Sequence, residues 1–139
     1  MADKLSVTLT NQLTEIKRLG GMVDEFAEKH GLPAKAVFEI NLSLDELLTN
    51  IISYAYEDNL SHHILVTVAM EDRDVAIALE DDGRPYNPFT APAPDLNLPL
   101  QDRAIGGLGV HFVRNLLDAF EYRREQDRNI VLLKKKIRI

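Results

Sequence analysis

Three short stretches hold residue types at spacings that chemistry would need. In Asp45-Glu46-Leu47-Leu48-Thr49-Asn50, Glu46 and Asn50 are four apart, which stacks them one turn apart on one side of a helix. The carboxylate can accept a proton and the carboxamide can offer its carbonyl oxygen to a hard cation such as magnesium, so the two can share one ligand. A solvated polar helix face is the plainer alternative. In Glu80-Asp81-Asp82-Gly83, a carboxylate at a strand end only accepts hydrogen bonds. It can bond an exocyclic amine such as adenine N6, and it repels the carbonyl that guanine would place there. Gly83 lets the chain turn past a flat ring, although a strand terminus with turn residues would read the same way. In Gly106-Gly107-Leu108-Gly109, glycines open a helix, where free N–H groups and the dipole favour a phosphate. A hinge or a packing contact is the alternative. No Lys-Ser or Lys-Thr follows, and no strand immediately precedes, so neither the P-loop nor the dinucleotide pattern applies.

These residues need a frame. Glu46 and Asn50 fall late in a helical pattern over about 34–56, where Val37, Ile40, Leu44, Leu47, Leu48, Ile51 and Ala55 form one apolar stripe that the pair flanks. Asp81 ends the second strand of a hairpin over 63–70 and 74–81, in which Ile64, Val66, Val68 and Val75, Ile77, Leu79 alternate. Lys4 to Leu9 reads as a first strand. Thr10 or Asn11 can cap the helix after it, whose apolar side is Leu13, Ile16, Leu19, Val23 and Phe26. Gly31 fits a left-handed stop and Pro33 the first turn of the next helix. Five of the six prolines fall between 82 and 105, which marks a lid or binding loop. Val110, Phe112, Val113, Leu116 and Leu117 continue the glycines at helical spacing, and a second hairpin over 120–124 and 129–139 turns near Gln126-Asp127. The order strand, helix, helix, hairpin, loop, helix, hairpin predicts an α/β two-layer sandwich. Its sheet is mixed and mainly antiparallel, and about three helices cover one face.

Composition narrows the function. A length of 139 residues suits one domain. The net charge of −6 disfavours a nucleic-acid binder, which needs a basic stripe. The one basic run, Lys134-Lys135-Lys136, is expected on an edge strand. Cysteine is absent, which excludes thiol catalysis and a cysteine zinc site. His62 and His63 are adjacent, so on a strand they would point to opposite faces and make poor joint ligands. No apolar run could span a bilayer and the N-terminus shows no signal-peptide core, so a cytoplasmic protein is expected.

Taken together, Glu-Leu-Leu-Thr-Asn on a helix, Asp-Asp-Gly after a strand and Gly-Gly-Leu-Gly at a helix start resemble the three boxes of the GHKL (Bergerat-fold) ATPases. Within these, the stretches 46–59 and 105–118 are similar to the anti-sigma-factor serine/threonine kinases of bacterial partner-switching systems, and the resemblance spans nearly the whole chain. It implies one ATP-binding kinase domain over 1–139, with an ATP lid at about 84–106. It implies Glu46 as the general base, Asn50 as the ligand of Mg2+, Asp81 and Gly83 around the adenine, and Gly107, Leu108 and Gly109 around the triphosphate. Arg103 is a candidate phosphate contact by charge and position. The implied partners are a STAS-domain anti-anti-sigma protein as substrate, a sigma factor, and a second copy in a homodimer. Three features depart from the family pattern. Arg84 stands where the strand-end box has a second glycine, Tyr54 stands where a histidine is frequent, and the threonine usual near Asn129 is absent. An ATP-loaded module that sequesters a partner without phosphorylating it is the second reading. A two-component histidine kinase is disfavoured because the chain lacks room for the helices that carry a phosphoacceptor histidine.

Overall fold

The computed structural model describes residues 4–90 and 107–137. Strand β1 (Lys4–Thr10) leads into α1 (Thr14–His30) and the long α2 (Ala34–Tyr54). The hairpin β2 (His63–Glu71) and β3 (Asp74–Asp81) follows, then a 3-10 turn (Pro88–Thr90), α3 (Gly107–Leu116), and the hairpin β4 (Ala119–Glu125) and β5 (Arg128–Lys136). The strands form one sheet in the order β1-β2-β3-β5-β4, with every pairing antiparallel.

Alternation along the strands decides which face is covered. Val7, Leu9, Ile64, Val66, Val68, Val75, Ile77, Leu79, Val131 and Leu133 share one face and join a single hydrophobic cluster with the apolar sides of the three helices. Leu47 and Leu48 of α2 are wholly buried in that cluster, each worth about 1.5–3 kcal/mol of burial. The expected two-layer sandwich is therefore present, and the same alternation puts two polar residues, Asp81 and Asn129, on the covered face. No helix among the described residues is long and apolar enough to cross a membrane.

Local chemistry sets the element ends. Gly31 sits at φ 65° and its N–H closes α1 onto Glu28 O, the left-handed stop expected there. Gln126 and Asp127 both take positive φ in the β4–β5 turn, which matches the right-handed strand twist. The start of α1 differs from expectation, because neither Thr10 nor Asn11 caps it. Leu13 holds the cap position and is 53% exposed, so it does not belong to the apolar side. Asn11 instead accepts the His62 N–H and donates to Leu60 O, and Glu15 reaches back to the Thr10 N–H. The side chains were better used tying β1 to the start of β2. Helix α2 ends at Tyr54, two residues before the expected end, and Ala55 caps it.

The lysine run is not on an edge. β5 lies between β3 and β4, so β1 and β4 are the outer strands. Lys135 crosses to the helix layer, where its Nζ bonds Glu39 Oε2 at 3.1 Å and Leu116 O at 2.5 Å.

Candidate functional site

The covered face of α2 brings in the first pair of residues. Asn50 does not flank the buried stripe; it lies inside it at 0% exposure. Neither its Nδ2 nor its Oδ1 has a hydrogen-bond partner among the described residues. An unpaired buried carboxamide costs about 1–3 kcal/mol, and groups left in that condition in a native fold are satisfied by an ordered water, an ion or a ligand. Its carbonyl oxygen is a hard donor of the type magnesium takes, so this residue fits the expected ion. Glu46, one turn earlier, is half-buried, and its charge reaches Tyr86, whose hydroxyl is pushed up to about 12 by burial, by Tyr54 and by Glu46.

The second group gathers where β3 ends. Asp81 is 1% exposed. Its Oδ1 accepts the Gly83 N–H at 2.8 Å and the Asn129 Nδ2 at 2.9 Å. Its Oδ2 has no hydrogen-bond partner among the described residues, and so is free to accept from an amine. Burial raises the Asp81 carboxyl above the ordinary carboxylate range, against the lowering effect of the Asn129 and Gly83 hydrogen bonds. Gly83 is required here by close approach. A Cβ on it would meet Ala55 O, while its φ is not among the positive values. The Ala55 carbonyl also accepts the Arg84 N–H at 2.8 Å, so the end of α2 and the end of β3 are joined at the residues that carry Asn50 and Asp81.

The segment after Gly83 is anchored, in contrast to the expectation of a lid from residue 84. Arg84 Nε donates to Tyr54 O. Pro88 and Phe89 are buried, the Phe89 ring packs on Phe120 at 4.6 Å, and Arg114 donates to Phe89 O. Phe89 is an isolated apolar residue, so no periodicity announces that it joins the core. Residues 84–90 thus form a fixed root. The rest of the expected lid, with Arg103 and Gly106, lies outside the described residues. Gly107, Leu108 and Gly109 form the first turn of α3 as expected.

Sequence reasoning missed Asn129, Tyr56 and Tyr86. The Tyr56 and Tyr86 hydroxyls are buried without partners among the described residues. Burial, then Asp81 and Asp82, holds the Tyr56 hydroxyl well above its ordinary range. A signal for Asn129 was present: it occupies the same alternating face as Val131 and Leu133, as Asp81 does beside Ile77 and Leu79. A polar residue at a core position of a strand asks for a partner, and these two are each other's. At the rim, His62 stacks on Tyr56 at 4.5 Å and contacts Asp58 at 2.7 Å and Asp82 at 3.3 Å. It is engaged by carboxylates, and among the described residues no cluster of three His, Cys, Asp or Glu could hold a metal.

Comparison with known proteins bears on the family and the fold. The histidine kinase-like ATPase domain family matches residues 9–135. The serine/threonine-protein kinase BtrW of Bordetella bronchiseptica is 30% identical over 130 residues, which cover 94% of this chain and 89% of that protein. The serine-protein kinase RsbW of Bacillus mycoides is 23% identical over 112 residues, 78% of this chain and 69% of that one. Among solved structures, the RsbU and RsbW domains of Rv1364c from Mycobacterium tuberculosis superpose with a TM-score of 0.69 at 14% identity. That alignment covers 97% of this chain and 32% of the other, and it is a likeness of fold.

Proposed function

Because this chain belongs to the histidine kinase-like ATPase domain family, we propose that it is an ATP-dependent protein serine/threonine kinase of the anti-sigma type. Its substrate is the hydroxyl of a STAS-domain anti-anti-sigma protein, and its second partner is a sigma factor. The observation that carries the reading is the Asn50 carboxamide, buried without a partner among the described residues on the helix that also carries Glu46. A purely structural α2 would have an apolar residue there. The names of the relatives, both serine kinases, support the same activity.

In this reading Asp81 Oδ2 accepts from adenine N6. The first turn of α3, from Gly107 through Gly109, offers N–H groups to the phosphates. Asn50 Oδ1 holds Mg2+, which when bound neutralises charge on the phosphate oxygens. Glu46 takes the proton of the attacking hydroxyl as its oxygen bonds the γ-phosphorus and the bond to the ADP oxygen breaks. The chain works as a homodimer in the cytosol, where ATP and sigma factors are found. Incubation with γ-labelled ATP, Mg2+ and a STAS-domain partner tests this. Label on a serine or threonine of the partner supports the kinase. ATP binding with no transfer to any STAS partner would replace it with a partner-sequestering regulatory module.

A further inference from the structure

Asn129 makes more polar contacts than any role in sheet pairing requires. It is 1% exposed, at the start of β5. Its Nδ2 donates to Asp81 Oδ1 at 2.9 Å and to Arg84 O at 2.7 Å. Its Oδ1 accepts from the Tyr86 N–H at 3.3 Å, Arg124 Nη1 at 3.1 Å and the Tyr122 hydroxyl at 2.5 Å. The orientation of the amide is fixed by chemistry. A backbone N–H and a guanidinium can only donate, so the carbonyl end must face them and the NH2 end must face Asp81. Arg124 Nη1 also donates to Gly83 O at 2.7 Å, which draws the turn after Asp81 into the same unit.

We propose that Asn129 is a positioning residue for purine recognition: it locks Asp81 Oδ1 and the root of the loop at Arg84 and Tyr86 into one rigid bracket, so that Oδ2 is the oxygen offered to the purine's amine. This rests on the ATP-binding reading and deepens it. Asp81 alone could rotate its carboxylate or shift with the turn. With Oδ1 held by Gly83 and Asn129, only one oxygen in one place is left to read the base. Asn129 need not touch the nucleotide, so its effect should be confined to the part of affinity that depends on the amine.

The test titrates the full chain with Mg-ATP and with the triphosphate of purine riboside, which lacks the 6-amino group. The unmutated protein should prefer ATP. Asn129→Ala should weaken ATP by about ten-fold and change purine riboside triphosphate by less than about two-fold, so the preference collapses. Asn129→Thr keeps a hydroxyl donor and should recover part of the preference. Arg124→Met removes a donor that orients the amide, and it gives the same reading from a half-buried position should the alanine variant fail to fold. It should lower the ATP preference in the same direction. Equal weakening of both nucleotides, or an unchanged preference in folded variants, would overturn the positioning role. An unmutated protein that shows no preference for ATP overturns the adenine role of Asp81 itself, and the inference with it.

Discussion

A Cβ placed on Gly83 would stand 2.6 Å from the carbonyl oxygen of Ala55 and 2.8 Å from the Ala55 Cβ. The end of the helix that carries Asn50 thus touches the backbone just past Asp81, and the spacing of the two groups is set by a contact that has no room for a side chain. Gly83→Ala should push the strand end from the helix end and cost about 1–3 kcal/mol. Urea denaturation should show a lower midpoint with an unchanged slope. An unaltered midpoint would mean that the turn yields without strain.

Asn50 should show opposed effects on stability and binding. Asn50→Leu replaces a buried carboxamide that has no partner among the described residues with an apolar side chain of similar size, and should stabilise the nucleotide-free protein by about 1–2 kcal/mol. The same change should abolish the magnesium dependence of ATP binding. Thermal melts with and without Mg-ATP check both halves. A destabilised variant that still binds Mg-ATP would show Asn50 to be structural.

Asp81 carries the same opposition with a pH dependence. Burial raises its folded-state pKa, so folding makes the carboxyl harder to ionise than it is in the unfolded chain. Its contribution to stability is therefore present below the ordinary carboxylate range and is lost as pH rises through the raised value. At neutral pH the buried charge is a cost, and Asp81→Asn should melt at an equal or higher temperature. It should weaken ATP by about ten- to a hundred-fold, since the acceptor for N6 is lost. In the unmutated protein, ATP affinity should decline on acidification at a higher pH than an exposed carboxylate would give. Equal affinity for ATP and GTP, or affinity flat through the acid range, would contradict the assignment.

Much of this arrangement could be read from the residues. The apolar stripe of α2, the alternation of both hairpins and the glycine at 31 are local patterns with one physical meaning each, and the elements formed where those patterns lay. The features that escaped depend on contacts distant in sequence. Asn11, an expected cap, bonds Leu60 and His62 about fifty residues away. Phe89 was fixed by Phe120 and Arg114, which no pattern near residue 89 foretells. The run at 134–136 looked like an edge because its position in the sheet depends on which strand the last hairpin pairs with. The sequence suggests that Gly83 lets the chain turn past a flat ring, whereas the demand visible in the structure comes from Ala55, distant in sequence. Asn129 stands in plain alternation with Val131 and Leu133, but its partner Asp81 lies on another strand, distant in sequence.

Phosphotransfer by Glu46→Gln tests the central claim most directly. The substitution keeps size and most hydrogen bonding and removes the basic charge, one helical turn from Asn50. Initial rates of label transfer from γ-labelled ATP to a STAS-domain partner should be compared with ATP affinity of the same preparation. The kinase account predicts that transfer falls by about 10²–10⁴-fold while affinity changes little, because a general base acts on the hydroxyl and does not hold the nucleotide. Loss of ATP binding together with transfer, or transfer at the unmutated rate, would contradict it.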